Sequence, residues 1–272
     1  MKILTIILFC TLSFVCKSQT TIDFNVSFKP NSVYTISTER NSRTEIVSQK
    51  NENVVDQNGV EKESVIESTS KNSLSITTGS IKPNQSFPWV MTFDSISSTK
   101  AINSKNPIKG LVIEGTYDKN KKMHVDSLIF NSFDENTREV IKASTEKIFE
   151  QSAFPLAQMS IGDELIHKTP VEWPSKYSGT MIFHLSTRFR LTAIKDDIAF
   201  FELSQNLDSI NTKGNYIKGF GQGTGNCEYN FKKNYITKYQ TSSNTNMTLK
   251  LFGEVTKCKI NSTYFQNTIL RD

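Results

Sequence analysis

The sequence is poor in almost everything that advertises chemistry. Its 272 residues hold three histidines, His124, His167 and His184, and no two lie three to five positions apart, so no zinc-type pair is present. A Gly-x-Ser-x-Gly elbow is missing, and neither Cys227 nor Cys258 has a base beside it in sequence. With only 12 glycines and 7 prolines, the composition excludes collagen and linker-like chains. A formal charge of +5, spread along the chain, is too small and dispersed for a nucleic-acid protein. Long apolar runs are also absent. The longest, Ile3 to Phe9, falls well short of the roughly twenty residues a membrane helix needs. These absences leave no catalytic site, cofactor or metal centre to assign, and the chain reads as a non-enzyme.

What is present begins with an address. Lys2, the apolar run and the small and polar residues up to Ser18 read as a secretory signal with cleavage before Gln19. Phe14-Val15 are bulkier than the residues that precede a lipid-attachment cysteine, which counts against an anchor at Cys16. The expectation is an exported protein, periplasmic, surface-bound or secreted, and not membrane-spanning. Removing 1–18 takes away Lys2, Lys17, Cys10 and Cys16, leaving Cys227 and Cys258. In an oxidising compartment two remaining cysteines are expected to pair. A bridge closing about thirty residues would add roughly 3–4 kcal/mol by loop entropy.

From 19 to 272 one β-rich domain is expected. Ile22 to Phe28 alternates apolar and polar residues, and Pro30-Asn31 marks a turn. Long polar strands flank Asn58-Gly59, a hairpin pair. Phe87–Ile96, Ile108–Thr116 and Met123–Phe130 read as strands, the last two joined by the tip Asp118–Lys122. Ser132-Phe133-Asp134-Glu135 fits a capping box and precedes an amphipathic stretch, predicting one helix near 134–151. Strands then return: 179–194, 198–203 around Asp196-Asp197, 217–231, 235–240, 247–251 and 255–265. The fold class is mainly β: an antiparallel curved sheet or half-barrel packed on one central helix.

Two local patterns add detail. Gly219, Gly221, Gly223 and Gly225 alternate along a strand and would leave one sheet face bare for something to approach, with the helix the favoured occupant. His124-Val125-Asp126 would set His and Asp on one face, a weak sign of a relay.

Phe154-Pro155 followed by Met159-Ser160-Ile161-Gly162-Asp163-Glu164-Leu165 resembles a motif of an uncharacterised family of secreted Bacteroidota proteins, in which a Phe-Pro pair precedes Val-Gly-Asp-x-Trp. The order of parts is similar over roughly residues 85–240, although Leu165 stands where that family has Trp. The resemblance implies an envelope location and a β-rich fold, and offers no activity and no catalytic residues. Asp94-Ser95-Ile96, Asp126-Ser127-Leu128 and Asp208-Ser209-Ile210 resemble the O-glycosylation acceptors of such bacteria, making Ser95, Ser127 and Ser209 candidates.

A curved sheet with one covering helix supplies a concavity. The first functional expectation is therefore an envelope protein holding an apolar or lipid-like ligand, with Phe87, Trp89, Phe154 and Trp173 as candidate lining residues. The alternative is a structural or assembly protein that meets envelope partners through its polar strands at 40–75.

Overall fold

A computed structural model describes residues 21–50, 62–99, 109–120, 122–130, 134–151, 154–175, 179–209, 216–251 and 254–271. Residues 1–18, read from the sequence as an export signal, and Asn58-Gly59, read as a hairpin pair, lie outside them. In chain order the elements are β1 (Thr21–Phe24), β2 (Val33–Lys50), β3 (Lys62–Thr78), β4 (Phe87–Ser98), β5 (Val112–Tyr117), β6 (Met123–Ile129), α1 (Glu135–Gln151), β7 (Ala157–Ser160), β8 (Glu164–Ser175), β9 (Gly179–Lys195), β10 (Ile198–Ser209), β11 (Tyr216–Asn230), β12 (Tyr235–Leu251) and β13 (Glu254–Arg271). Eleven strands form one antiparallel sheet in the order β6-β5-β4-β3-β2-β13-β12-β11-β10-β9-β8, and β1 pairs with β7 in a small second sheet. The large sheet is not closed into a barrel, and the mainly β architecture with one helix is as expected.

The topology follows from two meanders and one crossover. The chain starts in the middle at β2 and steps outward to the β6 edge. It then crosses through α1 to the far edge at β8 and steps back, so that β13 closes against β2 from Glu254↔Lys50 to Arg271↔Val33. Local turns set each step. Asn31 (φ 54°) turns the chain into β2, and Asp196 (φ 54°) sits in the two-residue connection where Lys195 pairs Ile198. At the β5–β6 tip the Asp118 carboxylate accepts the N–H groups of Asn120 and Lys122, and the Lys122 bond leads in holding it below its usual range.

Asp134 caps the helix. Its Oδ1 accepts the Thr137 N–H at 2.7 Å, and that bond holds the carboxyl below the ordinary aspartate range. Ser132 lies outside the described residues. Ile141 and Phe149 turn toward the sheet, with the Phe149 ring 5.4 Å from Trp89, while Val140 faces solvent. The helix also dresses the β6 edge: Glu146 Oε1 accepts the Val125 N–H at 3.0 Å, and the Arg138 guanidinium donates to Phe130 O at 3.1 Å. At the other edge, Pro170 and Pro174 of β8 share one phase of the ladder and remove two donors a new strand would need. Both margins thus resist strand addition.

Alternation and register divide the sheet into an inner face, carrying α1 and the β1–β7 pair, and an outer one. Two apolar clusters occupy the inner face at one end of the strands. Tyr34, Ile76, Phe87, Trp89, Met91 and Ile113 pack under α1. Ile22, Phe24, Met159, Phe189, Phe201 and Tyr229 pack where β1–β7 crosses the sheet. The segment between them packs on this face: the Phe28 ring centroid lies 4.9 Å from that of Tyr34 of β2 and 6.1 Å from that of Tyr117 of β5.

Three sequence expectations are corrected. Cys227 and Cys258 are both free. Cys227 stands opposite Tyr239 and Cys258 opposite Met247 on the intervening β12. The offset of eight residues amounts to about 27 Å of strand, beyond the roughly 7 Å between Cα atoms that a disulfide spans. Equal composition had said nothing of this offset. The helix does not lie on the glycine strand: α1 packs on β6, and the glycines are met from within the sheet. A Cβ on Gly219 would lie 3.1 Å from the Phe183 ring, and one on Gly221 3.3 Å from Leu207 Cβ. Finally, a bulge between Glu114 and Gly115 leaves Asp126 without a partner across the ladder. His124 Nε2 pairs with Asp118 at 3.3 Å instead, and Asp126 accepts the Thr116 hydroxyl. No His124–Asp126 relay forms.

Candidate functional site

Between α1 on one flank and β1–β7 on the other, the inner face of β3, β2, β13 and β12 continues past both clusters. Reading upward from the core, β2 presents Thr38, Arg40, Ser42, Thr44 and Ile46, the continuation of Tyr34 and Ile36. Register sets Tyr264 beside Arg40, Ser262 beside Ser42 and Ile260 beside Thr44. On β12 the matching residues are Thr241, Ser243 and Thr245.

The first level above the core is polar and internally bonded. Gln205 Nε2 donates to Tyr239 Oη at 3.0 Å and to Thr187 Oγ1 at 3.3 Å. The Tyr264 hydroxyl donates to Gln266 Oε1 at 3.0 Å, and Gln266 Nε2 to Thr268 Oγ1 at 3.3 Å. Burial pushes both the Tyr239 and Tyr264 phenols up, so they act as neutral hydrogen-bonding groups. Arg40 Nε donates to Ser262 Oγ at 3.4 Å and is otherwise exposed. The hydroxyls of Ser42 and Ser68 share a 2.7 Å hydrogen bond. A groove of about 320 Å³ crosses β3, β2, β13 and β12 at the level of Ser42, Ser68, Ser243 and Ser262, and the rest of its lining, Arg43 and Glu67 included, is of the outer phase.

The next level is largely apolar. Ile66, Ile260 and Leu207 stand in one row, with Thr44 between the first two and Thr245 and Gly221 between the last two, and Ile46, Cys258 and Met247 form the row beyond it. All six side chains are half-buried, and none belongs to either apolar cluster. Bare Gly219 lets Phe183 fold over β11 at the end of this second row, where it is 3% exposed. The outer face of the same strands is charged and pairs with itself: Arg43 with Glu45 and Glu67, and Lys71 with Glu39, whose carboxyl that lysine holds low.

The residues expected to line a ligand site fall elsewhere. Phe87 and Trp89 are 4% and 1% exposed beneath α1, which makes them packing residues and corrects the expectation of an open wall. Phe154 packs edge-on to Phe24 and Phe189 and stacks on His167 at 4.8 Å. Trp173 lies in β8 opposite Met181, and its side chain is outside the described set. The motif around Phe154 serves folding: Gly162 takes φ 99°, its N–H reaches Leu191 O, and Asp163 Oδ2 accepts the Ser160 N–H at 2.7 Å. Ser95 is exposed on β4, whereas the Ser127 hydroxyl donates to Glu114 Oε2 at 2.8 Å. Ser209 ends β10, its side chain likewise outside the described set.

The histidines stay apart, on opposite sheet edges at β6 and β8 and, for His184, on β9. Among the described residues no cluster of His, Cys, Asp or Glu is arranged for a metal, and no helix is long and apolar enough to cross a membrane. Sequence reasoning missed Arg40, Tyr239, Gln205 and Tyr264 because each lies in a stretch that reads as solvated strand. The available signal was the even-numbered series Tyr34, Ile36, Thr38, Arg40, Ser42, Thr44, Ile46, which changes from apolar to polar and back.

Burial pushes the Cys227 and Cys258 thiols up, and only Cys258 is partly exposed. For chain starting at Gln19, two free thiols are expected under denaturing, non-reducing conditions, with Cys258 alone labelling in the native state. A titre of zero would contradict the strand register.

No family model matches the chain, and no curated protein matches its sequence.

Proposed function

We propose that this chain is an exported, non-enzymatic protein of the cell envelope that seats an amphipathic, lipid-like molecule on the open inner face of its sheet. The observation that carries the reading is the pair of levels on β3, β2, β13 and β12: a bonded polar belt at Arg40, Tyr264 and Ser262, directly followed by the half-buried residues Ile46, Ile66, Ile260 and Met247. A molecule with a polar head and an apolar tail matches such a surface level for level. The export signal supports the location, and the scattered histidines and self-paired outer carboxylates support a binding role over a hydrolytic one.

The alternative of an assembly protein draws on Phe220, Phe265 and Ile269, which are exposed on β11 and β13. The blunted edges count against its simplest form, strand addition. Native mass spectrometry and solvent extraction of protein purified from the membrane-containing extract of its host separate the readings. A reproducible co-purifying amphiphile of one class is expected. A ligand-free chain that instead co-purifies in fixed stoichiometry with one envelope protein would overturn the proposal in favour of assembly.

A further inference from the structure

On the inner face from β3 to β9, Arg40 is the one charged residue among the side chains described. Register places Ser, Thr, Asn, Gln, Tyr and apolar residues at every other described inner position of these strands, while Glu39, Glu45, Glu67, Lys71, Glu202, Glu228 and Lys238 all fall on the outer phase. Arg40 has no carboxylate partner among the described residues. Its guanidinium spends only Nε–H, on Ser262 Oγ, which leaves the terminal N–H groups to face the open surface. An arginine without a counter-charge, on a face cleared of carboxylates, is a place where an anion gains and a cation loses.

From this we infer that the ligand of the proposed site is a long-chain carboxylate of the fatty-acid class, its head held by Arg40 and the neighbouring hydroxyls and its tail laid along Ile66, Ile260, Met247 and Ile46. The inference rests on the reading of the inner face as an amphiphile site and adds the sign and shape of the head. The planar guanidinium fork matches a carboxylate through two parallel hydrogen bonds, and Ser262 and Tyr264 border the same spot. From Arg40 to Ile46 the strand climbs about 20 Å, a distance an extended fatty-acyl chain spans.

The test compares oleate with oleyl alcohol, below their micellar concentrations, on delipidated protein starting at Gln19 and on its Arg40→Gln and Arg40→Lys variants. Titration calorimetry reads binding, and thermal melting confirms that each variant folds. Oleate is expected to bind at least tenfold more tightly than the alcohol. Arg40→Gln should weaken oleate by about tenfold to a hundredfold, the range of a hydrogen bond to a charged group, and leave the alcohol unchanged. Arg40→Lys should retain part of the preference. Equal affinity of the folded wild-type protein for both compounds, or an Arg40→Gln effect equal on both, overturns the anionic head while the amphiphile site stands. Binding of neither compound overturns the amphiphile site itself. Binding of oleyl phosphate with Arg40 dependence but no binding of oleate overturns the carboxylate assignment in favour of a phosphate head.

Discussion

Phe24→Ala is expected to cost about 3–5 kcal/mol, the usual range for emptying a fully buried phenylalanine site. Phe24 is 0% exposed, with Tyr229, Phe201 and Phe154 ring centroids at 4.8, 5.2 and 5.5 Å. The cost should be near the top of that range because the residue also anchors an element that has little else. β1 is four residues long and pairs only with β7, itself four residues. Two short strands hold poorly on their own. What ties them to the large sheet is the aromatic cluster and the Tyr229 hydroxyl, which accepts the Asn25 N–H at 3.0 Å and lies 3.1 Å from Asn25 O. Loss of the ring leaves a cavity that the surrounding sheet cannot close without breaking the Asn25 bonds. A drop in the urea midpoint of more than 1 M, at an m-value of about 2 kcal/mol/M, checks this. A shift below about 0.5 M would show that the β1–β7 pair is held by its own ladder.

How far the residues announced this arrangement depends on the range of the interaction that decides each part. The turns at Asn31, Asp118 and Asp196 were legible because their turn residues act on their own backbone. So were β2, β3 and the glycine strand β11, whose alternation is local. The helix was legible from its period, though its cap is Asp134, one of several polar residues offered in a row. β7 and β8 were missed. β7 is four residues long, and β8 carries Lys168, Pro170, Glu172 and Pro174, a composition that a central strand could not bear and an edge strand can.

The pairing of β1 with β7, 139 positions apart at Thr21↔Ser160, depends on a crossover that no local pattern encodes. The candidate site was hidden for the same reason. Arg40, Ser262 and Tyr264 become neighbours only when β13, the last strand, closes on β2, the first strand of the large sheet. Phe87 and Trp89 were legible as large apolar groups, but which apolar groups end under the helix is a question of topology, not of type.

The second large effect is expected at Gly115→Ala, where one methyl group should cost about 3 kcal/mol or more, the upper end of overpacking. Gly115 lies directly opposite Trp89 in the β4–β5 ladder, and Trp89 is 1% exposed. A Cβ there would collide with the carbonyl oxygen of His124 on one side and with the Trp89 ring on the other. Neither can yield cheaply. The carbonyl belongs to the β6 backbone at the bulge beside Glu114 and Gly115, and the indole is pressed from above by Phe149 of α1. Relief therefore requires the helix to lift, which would free the Val125 N–H from Glu146 as well. A melting temperature lower by on the order of 10 °C is expected, given roughly 2–4 °C per kcal/mol in chains of this size. Gly110→Asn is the control: at φ 81° with open space around it, asparagine can adopt the backbone and should change stability by less than about 1 kcal/mol. Because Phe24 and the Trp89 that Gly115 faces belong to clusters with no residue in common, the double variant should lose the sum of the two single costs to within about 0.5 kcal/mol. A clear departure from that sum would mean that α1 and β1–β7 communicate through the open face between them, the stretch that carries Arg40.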